Sequence, residues 1–254
     1  MPKTTAEEIA EKEVESEIQS PVQSPNNFMV ALQSAINRRK LKPYSKNEPV
    51  VYEFTQDRAL LHQYFRLRSI MYDKVFKVDG YNWGEDFYDK IGHILIARRG
   101  NLCLGGCRLI VREGDEAWPM PMESDELNLR DTFKDLTLDK VRHAEISRFA
   151  VMEDCGESNI FNELCKIMYD KVTTSDIHYL FVKSPYRMAR SWRFIANSFG
   201  VKTTRIIDGV HPVDNTLSPD IKWYLIFSDL TAFCRDTLSS ENRVFLRHMS
   251  ESIN

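Results

Sequence analysis

Four groups of charged residues stand where a packed chain has no ordinary use for them. Ala144-Glu145-Ile146-Ser147-Arg148-Phe149-Ala150-Val151 reads as an apolar strand interrupted by a carboxylate and a guanidinium. Glu85-Asp86-Phe87-Tyr88-Asp89 gathers three carboxylates just ahead of a hairpin. Arg68 and Tyr72 lie one turn apart on one face of a predicted helix, and Arg108 follows Gly105-Gly106-Cys107 inside a predicted strand. Charges within core-like strands are costly unless paired, so these groups are expected to meet. As single residues each can be a structural salt bridge; as a set they point to a site. The chemistry on offer is of two kinds. A buried carboxylate has its charged form disfavoured by desolvation and favoured by arginine neighbours, which suits proton transfer. A guanidinium offers a bidentate fork to a carboxylate. Strict strand alternation would put Glu145 and Arg148 on opposite faces, so sharing a site requires a bulge between them.

The elements that must position these residues follow from periodicity and turn residues. Val50–Thr55 reads as a strand, and Asp57 caps a helix to about Asp73 with Leu60, Leu61, Tyr64, Phe65, Leu67 and Ile70 on its apolar side. Residues 74–90 are polar and read as a loop. His93–Arg98 and Leu102–Arg112 form a hairpin around Arg99-Gly100-Asn101. A polar, proline-containing stretch with room for a short helix spans 113–141. There follow a strand at Ala144–Val151, a helix at Phe161–Val172, a strand at His178–Lys183 and a helix at Met188–Phe199 stopped by Gly200. Val201–Ile207 and Lys222–Phe227 are the last predicted strands. The alternation predicts an α/β fold, a mixed sheet with helices on its faces.

Composition bounds the rest. The chain has 254 residues, is 43% hydrophobic and carries a formal charge of −3, which excludes full disorder, a collagen-like chain and a disulfide scaffold. No apolar run reaches the roughly 18–20 residues of a membrane span, and the N-terminus has no basic region followed by an apolar run. Five cysteines without a framework spacing read as reduced and cytoplasmic. Six glutamates against two lysines make residues 1–25 acidic. Residues 1–27 are therefore expected to be a disordered acidic tail, either an interaction tail or a solubilising leader. Residues 28–47 are expected to form a basic amphipathic helix and linker, with 28–42 open to use as a lid, a peripheral membrane contact or a packed helix. Residues 48–230 are expected to be the globular domain and 231–254 a C-terminal helical extension. Cys103 and Cys107 share one predicted strand face, but no histidine or second cysteine pair makes a metal set of them, so no metal is expected. At a pI near 6.1 scattered basic residues make no nucleic-acid patch.

The order of elements is that of the GNAT superfamily of acyltransferases. The set Arg68, Tyr72, Asp86-Phe87-Tyr88-Asp89, Arg108 and Glu145-Ile146-Ser147-Arg148-Phe149 resembles the acyl-homoserine-lactone (autoinducer) synthases and the related long-chain N-acyl amino acid synthases and exosortase-associated acyltransferases. The resemblance covers roughly residues 50–230 and implies a GNAT-like, mostly antiparallel central sheet with helices on both faces. It matches Asp86, Asp89 and Arg108 to the family's charged cluster, Glu145 and Arg148 to its strand motif, and Arg68 to the arginine of its first helix. Departures are visible too. Tyr72 stands where the autoinducer signature has Phe, position 78 is Val where a Trp is expected, the nearest Trp being Trp83, and Gly84 replaces a Glu. Tyr88-Asp89-Lys90-Ile91-Gly92-His93 and Ala144 lean toward the N-acyl amino acid and exosortase-associated groups.

The resemblance implies transfer of a fatty acyl group from a thioester to an amine. Glu145 is the expected base and Arg148 its catalytic companion. Arg68, Tyr72, Asp86, Asp89, Arg108, Ser147 and Phe149 are the expected substrate-binding residues. Arg148 and Arg108 are candidates to hold an amino acid carboxylate, and the bulge would free a backbone N–H for the developing oxyanion. No bound cofactor is expected. CoA-using relatives have a basic, glycine-rich turn after this strand; here Met152–Asn159 has three carboxylates and one glycine, which would repel a pyrophosphate. That favours an acyl-phosphopantetheine thioester on an acyl carrier protein as donor. Lys183, Arg187, Arg190 and Arg193 are expected to dock the acidic carrier, a solvated helix face being the competing reading. The expected product is an N-acyl amino acid. The alternatives are an acyl-homoserine lactone made from S-adenosylmethionine and a non-catalytic acyl- or carrier-binding module.

Overall fold

The computed structural model describes residues 48–76, 84–116, 118–124, 127–152, 159–201, 205–208 and 223–236. The expected tail, the helix at 28–42, Trp83, most of the turn at 152–159 and the extension beyond residue 236 lie outside these. The chain divides into two compact units, Met1–Pro49 with Arg99–Leu102, and Val50–Arg98 with Cys103–Asn254. The second carries the site described below.

Seven strands form one sheet. In chain order they are β1 (Val51–Phe54), β2 (His93–Arg99), β3 (Leu102–Arg112), β4 (His143–Val151), β5 (Tyr179–Pro185), β6 (Arg205–Asp208) and β7 (Trp223–Asp229). Their spatial order is β1-β2-β3-β4-β5-β7-β6. The β4/β5 pair is parallel, whereas β1/β2, β3/β4, β5/β7 and β6/β7 are antiparallel, so the sheet is the expected mixed, mostly antiparallel one.

Helix α1 (Arg58–Phe76) starts where Asp57 accepts the amides of Ala59 at 2.8 Å and Leu60 at 3.1 Å, an N-cap that satisfies orphan donors. Its buried stripe Leu60, Tyr64, Leu67 recurs at helical spacing and joins Ile94 and Ile96 of β2, Cys103 of β3 and Ala150 of β4 in one apolar cluster. Tyr64 packs so closely on Gly106 that a Cβ there would lie 2.8 Å from its ring, so only glycine fits. Ala150 of β4 belongs to this cluster, whereas its neighbour Phe149 packs against Phe161 of helix α4 (Ile160–Thr173) at 5.2 Å. Consecutive strand residues point to opposite faces, so α1 and α4 cover opposite faces of the sheet. Helix α5 (Tyr186–Ser198) packs beside α4, and Gly200, at φ 76°, supplies the left-handed turn that follows it.

Two short helices are built differently from what periodicity suggests. Helix α2 (Phe87–Ile91) lies inside the stretch read as a loop, and α3 (Leu129–Thr132) with a 3₁₀ turn at Lys134–Leu136 lies in the polar stretch before β4. Helix α6 (Thr231–Asp236) ends the described chain. The 113–141 segment covers an apolar cluster of Ile110, Met120, Met122, Leu129, Phe181 and Phe227. No helix among the described residues is long and apolar enough to cross a membrane.

Candidate active site

The spacing of Asp86 and Asp89 is explained by α2. Asp86 is its N-cap and accepts the Asp89 amide at 3.0 Å, while the Asp89 carboxylate accepts the Asp86 amide at 2.8 Å, a reciprocal capping box that requires this three-residue step. Their remaining lone pairs take arginines from three elements. Asp89 receives a bidentate fork from Arg68 of α1, at 3.0 and 2.6 Å, and Arg108 of β3 at 3.0 Å. Asp86 receives Arg108 at 2.6 Å and Arg148 of β4 at 3.1 Å. Arg68 also donates to the Gly84 carbonyl and lies over the Tyr64 and Phe65 rings. Burial pushes the Asp89 carboxyl up, but the two guanidiniums outweigh it and hold it below its ordinary value.

Arg148 reaches this cluster through an irregularity in β4. Gly106 and Arg108, two steps apart on β3, pair with Ala150 and Ser147, three steps apart on β4. The extra residue is a bulge, and Arg148 within it adopts φ 60°, a left-handed conformation that costs a non-glycine residue roughly 1–2 kcal/mol. The bulge is pinned by the buried Tyr64 hydroxyl, which donates to the Arg148 carbonyl at 2.6 Å. Tyr64→Phe should therefore lower the stability measured by urea unfolding by about 1–3 kcal/mol. An unchanged midpoint would show that the bulge holds itself.

Glu145 lies on the same face, opposite Ile110, and is buried. Its Oε2 accepts the Met122 amide at 2.9 Å, and the Ser147 hydroxyl hydrogen-bonds to it. Burial raises its pKa, only partly countered by Arg108, Ser147, the Met122 amide and Arg148. A carboxyl so placed can take and hold a proton nearer neutrality than an exposed one. Arg108 joins it to the cluster: fully buried, it donates to Ser147 at 3.4 Å as well as to both aspartates.

Beyond Glu145 and Phe181 the parallel β4/β5 ladder stops, although β5 stays paired with β7 to Pro185 and β4 with β3 to Val151. The two strands part and leave a slot of about 170 Å³ between Ile146–Val151 and Val182–Pro185. Tyr72, Arg148, Phe149, Lys183, Trp192 and Trp223 are among its walls. Phe149 packs edge-on against Trp192 at 5.3 Å, and burial raises the Tyr72 pKa.

The structure thus joins Arg68, Asp86, Asp89, Arg108, Ser147, Glu145 and Arg148 in one network and puts Tyr72 and Phe149 on the slot beside it. Arg68 and Arg108 are fully buried against the aspartates, whereas the side chain of Arg148 is 22% exposed; of the three, it is the one at the open edge. Lys183 lies on the slot and Arg190 and Arg193 on the exposed side of α5; the Arg187 side chain is outside the described set. Arg190 lines a groove of about 460 Å³ between α4 and α5 with Lys166, Asn162 and the 77% exposed Phe194.

Sequence reasoning missed the residues that hold the base in place. Glu123 accepts the amides of Met120 at 2.6 Å and Leu129 at 2.8 Å and pairs with Arg112 at 3.4 Å. It folds the loop around itself, and this loop presents the Met122 amide to Glu145. The available signal was a charged residue, Arg112, closing an apolar strand.

No family model and no curated protein matches the chain. Among solved structures it is similar to FeeM, an N-acyl amino acid synthase from uncultured soil microbes, with a TM-score of 0.50 and 12% identity over 74% of this chain and 94% of FeeM. It is also similar to the acyl-homoserine-lactone synthase LasI, at TM-score 0.46 and 15% identity over 76% of this chain and 95% of LasI. An N-acetyltransferase from Staphylococcus aureus Mu50 gives TM-score 0.43 and 12% identity over 72% and 99% of the two chains. At these identities the likeness is one of fold alone.

Proposed function

We propose that the chain is an N-acyltransferase that moves a fatty acyl group from an acyl carrier protein thioester to the amine of an amino acid. The observation that carries this reading is the slot between β4 and β5 with a buried Glu145, its pKa raised by burial, beside the point where the strands part. An extended phosphopantetheine arm fits between two strands that have parted, because its amides meet strand edges that no longer pair with one another. The acceptor amine gives a proton to Glu145, its nitrogen attacks the thioester carbonyl, and the bulge at Arg148 turns backbone N–H groups toward the oxyanion. Collapse breaks the carbon–sulfur bond, and the thiolate leaves with the proton. Arg148, at the open edge of the cluster, holds the acceptor carboxylate.

Carrier rather than CoA is favoured by the acidic Met152–Asn159 sequence and by the basic groove on α5. We place the reaction in the cytoplasm, where acylated carrier protein is made. The test is incubation with acylated carrier protein or acyl-CoA and a panel of amines including S-adenosylmethionine, followed by mass spectrometry. The expected product is a carrier-dependent N-acyl amino acid. No product with any amine overturns the reading; a lactone from S-adenosylmethionine alone overturns the acceptor, and equal use of acyl-CoA overturns the donor. Arg190→Glu with Arg193→Glu should raise KM for the acylated carrier about tenfold and steepen nothing in kcat. An unchanged KM would place docking elsewhere.

A further inference from the structure

At the opposite end of β5 from the slot, three side chains of different chemistry converge. Asp176 lies in the turn after α4, His178 directly precedes β5, and Cys234 is on α6. A carboxylate oxygen, a ring nitrogen and the sulfur lie within 4.8 Å of one another. The backbone fixes the arrangement: the Leu230 amide donates to the His178 carbonyl at 2.8 Å, and the Cys234 amide donates to the Leu230 carbonyl at 3.2 Å. The Cys234 thiol points back to the Ile177 carbonyl at 3.2 Å. Two features mark the cluster as more than a surface coincidence. His178 Nδ1 is buried and has no hydrogen-bond partner among the described residues, an arrangement that normally costs stability. The Asp229 carboxylate lies near the thiol in addition to Asp176, which adds negative charge beside the ligand atoms.

We infer that Asp176, His178 and Cys234 bind one thiophilic divalent transition-metal ion of the zinc class. Imidazole, thiolate and carboxylate are the ligand types that borderline metals take, and three protein ligands leave a fourth position for water. Ligand atoms around such an ion sit roughly 3.4–3.8 Å apart, so small side-chain adjustments close the set around an ion. Binding releases the thiol proton. The ion would clip α6 to the start of β5, at the other end of that strand from the slot, and so does not depend on the acyl-transfer reading.

The test is titration of the full, reduced chain with Co²⁺. The expected result is saturation at one equivalent, with a thiolate-to-cobalt charge-transfer band and the visible bands of tetrahedral coordination, both bleached by Zn²⁺. Cys234→Ser should abolish the charge-transfer band while Cys155→Ser keeps it. Asp176→Asn, at an exposed position that should leave folding intact, should weaken Co²⁺ binding at least about tenfold. Zn²⁺ should raise the Tm of the wild type and not that of Cys234→Ser. Absence of a charge-transfer band in the wild type, its persistence in Cys234→Ser, or undiminished binding by Asp176→Asn would each overturn the site.

Discussion

Glu145→Gln should lower kcat for acyl transfer by 10²-fold or more, the usual contribution of a positioned general base, without lowering Tm at pH 7. The second half of this result is the more telling. The glutamine oxygen can still accept the Met122 amide, so the shape of the site is kept. The carboxyl it replaces has a pKa raised first by burial, so the folded state binds its proton more tightly than the unfolded chain. The stability this contributes is present below the unfolded value of about 4.3 and is lost as pH rises through the higher folded value. At neutral pH the ionised Glu145 is therefore a cost to folding, and removing the charge should leave Tm level or higher. In the wild type, activity should fall as pH drops through a point above the ordinary glutamate range, because protonated Glu145 cannot take the amine's proton. Measuring kcat/KM and Tm across pH 4–8 for both proteins checks both halves. Undiminished activity in the variant would show that the carboxylate is structural, and a lower Tm at pH 7 that its charge is paired more strongly than the geometry indicates.

What was legible beforehand, and what was not, divides on whether the information is local. Glu145, Arg148 and Arg108 stood out because a charge in an apolar strand violates a pattern of period two, and that pattern is written in consecutive residues. The need for a bulge between Glu145 and Arg148 followed from the same parity; the ladder stays in register from Glu145 to Ser147 and shifts between Ser147 and Ala150, so Arg148 itself sits in the bulge. That these groups meet was expected from the cost of leaving them unpaired; which arginine takes which aspartate was not legible. That Arg68, Arg108 and Arg148 all converge on Asp86 and Asp89 depends on how α1, β3 and β4 are stacked, which no spacing records. Helix α2 was hidden because five residues are too few to show a period; the Asp-x-x-Asp spacing that looked like substrate binding is also what its capping box requires. Tyr64 looked like one more apolar residue of α1, yet its hydroxyl pins the bulge. Glu123 carried no signal of its own in a polar stretch, because its amide partners are in its own loop. The slot had no signature at all, since strands that part keep the same apolar composition as strands that pair.

Asp89→Asn should be the most damaging single change to the fold. The Asp89 carboxylate takes a bidentate fork from Arg68 and a further bond from Arg108, and it accepts the Asp86 amide. Both arginines are fully buried, so neither can turn to water for a replacement. Breaking a buried pair by removing one partner typically costs about 3–5 kcal/mol, because the charge left behind is uncompensated; here two buried guanidiniums lose the carboxylate they share. Asparagine keeps one acceptor oxygen for the capping box but puts amide hydrogens against a guanidinium. The loss should appear as a fall in the urea midpoint with the slope unchanged. Its pH dependence gives an independent check. Burial pushes the Asp89 carboxyl up, but its arginine partners prevail and its folded pKa lies below the ordinary value. Its contribution is therefore present above the unfolded value of about 3.9 and is lost as pH falls through the depressed folded value. Wild type should lose stability steeply over that acid range, and Asp89→Asn should start lower and decline less. Parallel acid limbs in the two proteins would mean that the aspartate's charge does not stabilise the cluster, and that Arg68 and Arg108 are held by Asp86, Gly84 and the rings of Tyr64 and Phe65 instead.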